Sequence, residues 1–381
     1  MSAPTRVPLS VLDLAPISEG SDAATALHDT VDLARHAEQW GYSRYWLAEH
    51  HFVDVASSSP VVLAGQIAGA TSTIRVGSAA VQTGHRTAVS IVEEWATLDA
   101  FHPGRFDLGL GRSGQRRAEI EKAVTASAAA AEAGAPTRER EVIDGVVIPA
   151  PLDLGKLLTS GLATRSFDAV TPRGAIPPDF AEQVDDIEAF LRGSYTTPDG
   201  VELRTTPGAG ADLQVWIFGS SRGQSAQVAG SRGLPFVANY HVSPSTTLEA
   251  VEAYRDAFVP SEAYPEPYVV VSADVVVADD DDTAAGLAST YPHWVHSIRS
   301  GRGAVQYPDP ATAEPLTPEQ LTLVRDRVET QFVGGPGTVV ARLEALQALT
   351  GADELVITSV THRHDDRLRS HELLATAWGL S

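Results

Sequence analysis

Three ionisable side chains follow directly on an apolar run in the segment WLAEHHF, residues 46–52. Glu49, His50 and His51 come immediately after the apolar residues 46–48. Imidazoles beside a carboxylate suit a metal site, or proton transfer near neutral pH, since the unperturbed pKa of histidine is about 6.5. Adjacent residues of a strand point to opposite faces, so both histidines cannot easily bind one ion. We therefore expect no metal, one imidazole in a cavity and the other in packing or hydrogen bonding.

A second candidate site is the stretch FGSSRGQSAQVAG, residues 218–230, where serines and glycines precede a predicted helix at 223–230. Unpaired N–H groups and the positive dipole end of such a helix favour a phosphate. Arg112, at the end of another predicted strand, could add a charge-assisted hydrogen bond. A simple serine N-cap would use the same donors, so the residues alone leave both interpretations open.

The elements that must position these groups alternate between short apolar strands and helices. Alternating βα units imply a parallel sheet with helices outside it. Eight units in roughly 250 residues of regular structure predict a (β/α)8 TIM barrel. The predicted strands are 7–14, 45–48, 74–81, 105–110, 215–218, 236–240, 268–277 and 354–358. The predicted helices are 23–40, 60–71, 89–101, 223–230, 246–258, 337–349 and 371–378.

The remaining residues fall into two insertions, after strands 4 and 7, at about 114–210 and 279–335. Both are predicted to be irregular, apart from an alanine-rich helical stretch at 118–133 and turns rich in proline and glycine. We expect these insertions to elaborate a single domain spanning 1–381, because neither has the pattern of a separate core.

Functional groups of such barrels lie at the C-terminal ends of the strands. A metal site that joins His50 or His51 to His241 and His362 remains an alternative, and with it hydrolase chemistry. The side chains expected at this mouth, besides those of 49–51 and 220–222, are Gln82, Arg112, Asn239, His241, Thr361, His362 and His364.

Composition excludes several classes of function. The net charge of −21, from 28 basic and 49 acidic residues, repels nucleic acid and anionic membranes. The absence of cysteine excludes disulfides, thiolate zinc sites and cysteine nucleophiles. The N-terminal segment has no signal-peptide core, and no window approaches about 18 consecutive apolar residues, so we predict a cytoplasmic protein without membrane segments.

Four segments, in order, resemble the bacterial luciferase-like flavin monooxygenases: GYSRYWLAEHHF, TIRVGSAAV, LDAFHPGRFDLGLGRSG and GSSRGQSAQVAGSRGLPF. They cover most of 5–115 and 212–241, with a looser match at 333–381. The resemblance implies the same barrel and a reaction in which reduced FMN and O2 oxygenate a small aldehyde- or ketone-like substrate. It also implies a separate flavin reductase as the source of reduced FMN, and a homodimer.

The same resemblance assigns roles to individual residues. His50 matches the catalytic histidine of the family, and His51 its less critical neighbour in the cofactor site. Ala79 and Ala80 match a strand end that often carries a non-prolyl cis peptide against the flavin. The insertion 279–335 falls where the luciferases have a mobile loop over the active site. The residues that match the phosphate site are Arg112, Ser220, Ser221, Arg222 (through its backbone) and Ser225.

Two departures and two alternatives qualify this assignment. Gly111 stands where luciferase itself has a reactive cysteine, which leaves oxygenase chemistry open but weakens a case for light emission. The segment 114–210 does not align with the family. An F420-dependent oxidoreductase on the same barrel, which transfers hydride without oxygen, is the nearest alternative. A non-catalytic flavin-binding protein is the other, although His50 and the second insertion favour an enzyme.

Overall fold

The computed structural model describes residues 6–112, 138–152 and 161–380. In these ranges the strands are β1 (Leu9–Asp13), β2 (Arg44–Leu47), β3 (Arg75–Ser78), β4 (Val81–Gln82), β5 (Phe106–Gly111), β6 (Glu141–Ile143), β7 (Val146–Ile148), β8 (Gln214–Gly219), β9 (Phe236–Ala238), β10 (Val269–Val277), β11 (Phe332–Gly334) and β12 (Glu354–Thr358). The helices are α1 (Ala23–Gln39), α2 (Pro60–Ala70), α3 (Ala88–Phe101), α4 (Gly161–Val170), α5 (Phe180–Arg192), α6 (Gln224–Ser231), α7 (Thr247–Ala257), α8 (Asp281–Leu287), α9 (Tyr291–Arg299), α10 (Pro318–Thr330), α11 (Pro336–Thr350) and α12 (His364–Trp378).

Eight parallel strands close into a barrel in the order β1, β2, β3, β5, β8, β9, β10 and β12, and β12 pairs again with β1. The predicted TIM-barrel class and the placement of the insertions after barrel strands 4 and 7 are confirmed. The predicted third strand is divided into β3 and β4 by Ala79 and Ala80, and the peptide bond between them is cis. No helix in the described ranges combines the length and the apolar character needed to cross a bilayer.

Large apolar side chains fill the barrel below its mouth. Trp46 packs edge-on against Trp216 and Phe218, with ring centroids 5.4 and 5.3 Å apart. Where β5 passes β3 the strands leave no room for a side chain, since a Cβ at Gly109 would lie 1.9 Å from the carbonyl oxygen of Ser78. The interior of the barrel is therefore a packed core, and among the described residues the space inside the strands opens at one end of the barrel.

A buried ion pair fastens the barrel to the last helix. Asp13, on the outer face of β1, accepts hydrogen bonds from the Arg367 guanidinium on α12, from the Tyr45 hydroxyl and from the Ala15 N–H. Burial raises the pKa of Asp13, but Arg367 and the hydrogen bonds outweigh it and hold this pKa below its usual 3.8. Helix and strand therefore share a charge pair that water does not reach.

The prediction of an irregular second insertion is wrong. Residues 279–335 contain α8, α9, α10 and β11. Arg299 joins two of these helices, because it pairs with Asp326 and donates to the Leu323 carbonyl at 2.6 Å. In α9 apolar residues recur at helical spacing, so this helix could have been predicted from the sequence. These residues are Tyr291, Trp294, Val295 and Ile298.

Other element predictions differ more locally from the structure. The last helix begins at His364 and not at 371, since its first turns are mostly charged and its apolar period starts later. The prediction of an irregular first insertion is also wrong, since its described residues form the β6–β7 hairpin, α4 and α5. The alanine-rich helical stretch predicted at 118–133 lies outside the described residues.

Candidate functional site

A cavity of about 300 Å³ opens at the C-terminal end of the barrel. Its walls come from the ends of seven barrel strands, all except β5, and from α9 and α10 of the second insertion. His50 and Ala79 contribute to it from two neighbouring strands, whereas Trp294 and Ile298 cover it from α9. We call this space the mouth cavity.

His50 reaches the mouth cavity and is accessible to solvent there, although protein atoms surround it on its other sides. Its backbone N–H donates to the Ser57 carbonyl at 2.9 Å, and the Ser57 hydroxyl donates to the Ala48 carbonyl, which fixes the turn after β2. Burial and then His51 lower the pKa of His50, against the opposing effect of Glu49. The His50 imidazole is thus neutral near pH 7 and able to accept a proton.

His51 points away from the cavity, so the predicted division between the two histidines is confirmed. Its Nε2 lies 3.1 Å from Oε1 of the fully buried Glu49 carboxylate. Two groups that sequence reasoning missed share this oxygen, His85 at 3.4 Å and Arg86 at 3.4 Å. Burial raises the pKa of Glu49, but His85, Arg86 and the Gln82 N–H outweigh this effect and hold the pKa below its usual 4.5. The carboxylate is therefore ionised and orients the loop beside His50.

The ligand atoms of Glu49, His51 and His85 lie within 4.8 Å of one another, close enough for a metal ion. The Arg86 guanidinium already faces the same carboxylate oxygen, and its positive charge opposes a second cation there. We therefore expect dialysis against EDTA to leave the thermal midpoint unchanged. A midpoint that falls with EDTA and returns with added zinc or iron would instead identify a metal site.

The predicted phosphate turn lies at the N-terminus of α6. Arg112 is buried directly after β5, and it donates through Nε to the Ser225 hydroxyl at 3.2 Å and through Nη1 to the Gln224 amide oxygen at 2.8 Å. The N-cap of α6 is Gly223, which offers no side-chain cap, so the first N–H groups of the helix are not satisfied in that way. The structure brings the arginine and the serine turn together, as predicted.

The other turn residues differ in exposure. Ser220 and Ser221 are half-buried, and Arg222 is exposed. The Ser220 carbonyl accepts a hydrogen bond from the Thr246 hydroxyl, which ties the turn to the segment before α7. Ser221 and the backbone of the turn are thus placed beside Arg112 on a braced loop.

Some residues expected at the mouth lie elsewhere. His362 contacts the Glu19 carbonyl at 3.0 Å, and His364 contacts Asp32 at 3.0 Å. Both line a separate cleft on the outside of the barrel, because the chain turns outward after β12. His241 does line the mouth cavity, where its Nδ1 lies 2.6 Å from the Ser272 hydroxyl. Burial, Arg327 and His50 lower the pKa of His241 to about 3.

Three further polar groups inside the cavity were not predicted from the sequence. Ser272 and Asp274 interrupt the apolar strand VVVSADVVV two residues apart, and both line the cavity. That spacing places them on one face of the strand, which is a signal the sequence contains. Arg327 comes from α10, and no local pattern could have indicated that it reaches the barrel.

The chain matches the family model described as Luciferase-like monooxygenase over residues 7–140 and 178–354. The chain belongs to the luciferase-like monooxygenase family. The Bacillus subtilis protein YvbT is 35% identical over 372 residues, which is 97% of this chain and 96% of that protein. A luciferase-like monooxygenase of Escherichia coli K12 is 31% identical over 369 residues, 96% of each chain. This member of the family is therefore an oxidoreductase of the monooxygenase type.

Solved structures agree on the fold of this luciferase-like protein. Apo-MsnO8 superposes with a TM-score of 0.76 at 29% identity, over 99% of both chains. The oxygenating constituent of 3,6-diketocamphane monooxygenase from Pseudomonas putida, solved with FMN, has a TM-score of 0.59 at 17% identity over 97% of both chains. An F420-dependent secondary alcohol dehydrogenase also has a TM-score of 0.59, at 13% identity over 98% of this chain and 99% of that one. The fold is thus shared by enzymes that use either cofactor.

Proposed function

We propose that this protein is an FMN-dependent monooxygenase that receives reduced FMN from a separate flavin reductase. One atom of O2 enters a small aldehyde- or ketone-like substrate, and the other leaves as water with the two electrons and two protons of the reduced cofactor. The observation that carries the proposal is the pairing of two sites at one barrel end. His50 and Ala79 line a cavity there, and Arg112 meets a serine turn at a helix N-terminus nearby in the same set of loops.

The residues at the helix N-terminus fit the phosphate of FMN. A Cβ at Gly223 would lie 3.3 Å from the Ser221 hydroxyl and 3.5 Å from Nη2 of Arg112. The glycine therefore leaves space between these two donors. Arg112, Ser221, Ser225 and the N–H groups of the turn at 220–222 would hold the phosphate, as helix N-termini hold anions elsewhere.

The ring system would then lie towards the mouth cavity. Ala79 lines that cavity, and Ala80 packs on the apolar cluster inside the barrel. A side chain at Gly111 would place its Cβ 3.1 Å from the Cβ of Ala80. The lack of a side chain at Gly111 therefore allows the ends of β3 and β5 to lie close together. His51 supports the site through Glu49, and α9 limits the access of water to the cavity.

Loss of two hydroxyls from the turn tests the phosphate assignment. Ser221→Ala combined with Ser225→Ala should weaken FMN binding about tenfold or more, since a hydrogen bond to a charged group is worth roughly 1.5–3 kcal/mol. Riboflavin has no phosphate and should lose little affinity. Fluorescence titration of both flavins measures the difference.

A matched control lies on the same helix. Ser231 is exposed at the opposite end of α6, where its hydroxyl donates to the Val228 carbonyl at 3.4 Å and accepts from Nη1 of Arg232 at 3.2 Å. Ser231→Ala should therefore leave both affinities unchanged. Equal weakening of FMN and riboflavin in the double variant would remove the turn from the phosphate site.

Hydride transfer with F420 is the second candidate, favoured by the fold shared with an F420-dependent dehydrogenase. Anaerobic binding of reduced FMN and reduced F420, followed by mixing with ¹⁸O₂ and a panel of aldehydes and ketones, separates the two. Preference for FMN with ¹⁸O in a product supports the monooxygenase. Preference for F420 without ¹⁸O supports hydride transfer, and binding without any product supports a non-catalytic protein. Light scattering of the same sample tests the expected homodimer.

A further inference from the structure

The mouth cavity contains a buried cation that no carboxylate neutralises directly. Arg327, on α10, lines the cavity and is only 8% exposed. Its Nη2 donates to the Tyr291 hydroxyl at 2.9 Å, but its Nε has no partner in the described part of the chain. Among the described residues, no carboxylate oxygen lies within 4.0 Å of a guanidinium nitrogen of Arg327, the distance that defines an ion pair. Burying an unpaired charge is costly, and arginine stays charged in proteins.

The nearest acidic group does not remove this charge. Asp274 is buried on β10 and accepts a hydrogen bond from the Gln331 amide at 2.9 Å. The Tyr291 hydroxyl interacts with Asp274 on one side and with Arg327 on the other. Burial raises the pKa of Asp274 against the opposing effects of Gln331 and Arg327. Asp274 and Arg327 thus meet through the Tyr291 hydroxyl that lies between them, without a direct ion pair.

A second unpartnered polar group lines the same cavity. Thr358 is 2% exposed and lines the same cavity, and its hydroxyl has no hydrogen-bond partner among the residues described. It is the register partner of Asp274 across the β10–β12 pair, so both side chains face the cavity from neighbouring strands. Buried polar groups normally find a partner, and two that face one cavity indicate a ligand that supplies it.

The rest of the cavity wall defines the other end of such a ligand. Apolar side chains make up much of the remaining wall, with Trp294, Ile298 and Val356 among them. One guanidinium and one unpartnered hydroxyl match the one negative charge and the planar shape of a carboxylate. A phosphate dianion would need more donors, which this protein has at the turn beside Arg112.

We propose that the small aldehyde- or ketone-like substrate of this enzyme is also an organic acid, whose carboxylate pairs with Arg327 and Thr358 while its apolar body extends towards His50. This inference rests on the proposed monooxygenase function and specifies the substrate class of the same site. Arg327 is then a specificity-determining residue, and a neutral aldehyde or ketone without an acidic group binds less tightly.

The test uses hexanoate and its neutral analogue hexanamide as probes of the full-length protein, both free of flavin and loaded with FMN. Binding is followed by calorimetry and by the intrinsic tryptophan fluorescence, to which Trp294 in the cavity wall contributes. We expect hexanoate to bind at least about tenfold more tightly than hexanamide. This comparison needs no variant, so it stands even if a substitution at Arg327 impairs folding. Equal affinities, or no binding of hexanoate, would overturn the proposal.

Variants on one helix then locate the contact. Arg327→Gln should weaken hexanoate about tenfold or more without affecting hexanamide, and Arg327→Lys should restore part of the loss. Arg325→Gln is the matched control, because Arg325 is exposed on the same helix and its loss changes the net charge equally. Similar weakening by both glutamine variants would show a general charge effect and overturn the site. Hexanoate binding, together with no FMN-dependent oxygenation of any member of the aldehyde and ketone panel, would retain the acid site and refute only the monooxygenase.

Discussion

His50→Ala is expected to lower the rate of substrate oxygenation by about 10²–10⁴-fold, the usual contribution of a general acid–base group. The His50 imidazole lines the mouth cavity, and no described residue forms a side-chain hydrogen bond with it. It is therefore available to exchange a proton with whatever occupies the cavity. The measurement is the rate of ¹⁸O incorporation from ¹⁸O₂ into the best substrate of the panel. FMN affinity, measured by fluorescence, should stay close to that of the unmodified protein.

Two further histidines serve as matched comparisons. His51→Ala should cause a smaller loss, because His51 acts through Glu49 and does not face the cavity. His362→Ala should cause none, since His362 lies in the separate outer cleft. If the rate of ¹⁸O incorporation by His50→Ala equals the rate by His362→Ala, the proposed role of His50 is wrong.

The pH dependence adds an independent check on His50. Its pKa lies below the usual 6.5, and a proton acceptor must be neutral to act. Activity should thus hold as pH falls from 8 to 6.5 and decline only in more acidic solution, as His50 becomes protonated. The residual activity of His50→Ala should lack this decline.

Arg367→Met is expected to lower the free energy of unfolding by about 3–5 kcal/mol, because it leaves the Asp13 carboxylate buried without its counter-ion. The side chains of both partners are nearly inaccessible to water, at 4% and 0% exposure. Urea unfolding at pH 7 measures the loss. Adding Asp13→Asn should recover much of it, since the unpaired charge is then removed.

The matched control is two residues further along α12. Arg369 pairs with Asp279 at 2.9 Å, but their side chains are 50% and 74% exposed. Exposed pairs contribute about 0–1 kcal/mol, so Arg369→Met should change stability little. Comparable losses in the two variants would show that helix propensity, and not the buried pair, sets the effect.

The unmodified protein and Arg367→Met should also differ in how their free energy of unfolding depends on pH. In the unmodified protein the pKa of Asp13 is lowered, so its stabilisation is present above the unfolded pKa of about 3.9 and is lost as pH falls through the folded pKa. In Arg367→Met, burial without a counter-ion raises the folded pKa above the unfolded value. Stability is then lost as pH rises through that folded pKa. The difference in the free energy of unfolding between the unmodified protein and Arg367→Met should therefore narrow as the pH falls from 8 to 5.

Some residues of the candidate site could be predicted from the sequence and others could not. His50, Arg112 and the serine turn were predictable because each follows directly on an apolar barrel strand, and strand ends of such barrels meet at one edge. His85 and Arg86 were not, because their relation to Glu49 depends on how the chain folds back after β4. His362 and His364 follow β12 equally closely but turn outward, which no local pattern indicates.

The sequence alone determined the barrel, the position of its insertions and the strand ends that carry the candidate chemistry, because periodicity and strand order are local properties of the chain. Which polar groups share the mouth cavity depends on the tertiary structure. Arg327 reaches Tyr291 and the cavity wall from α10, a helix that was not predicted from the sequence. Contacts between residues so far apart in the chain depend on packing geometry, and packing is what converts separate candidate residues into one site.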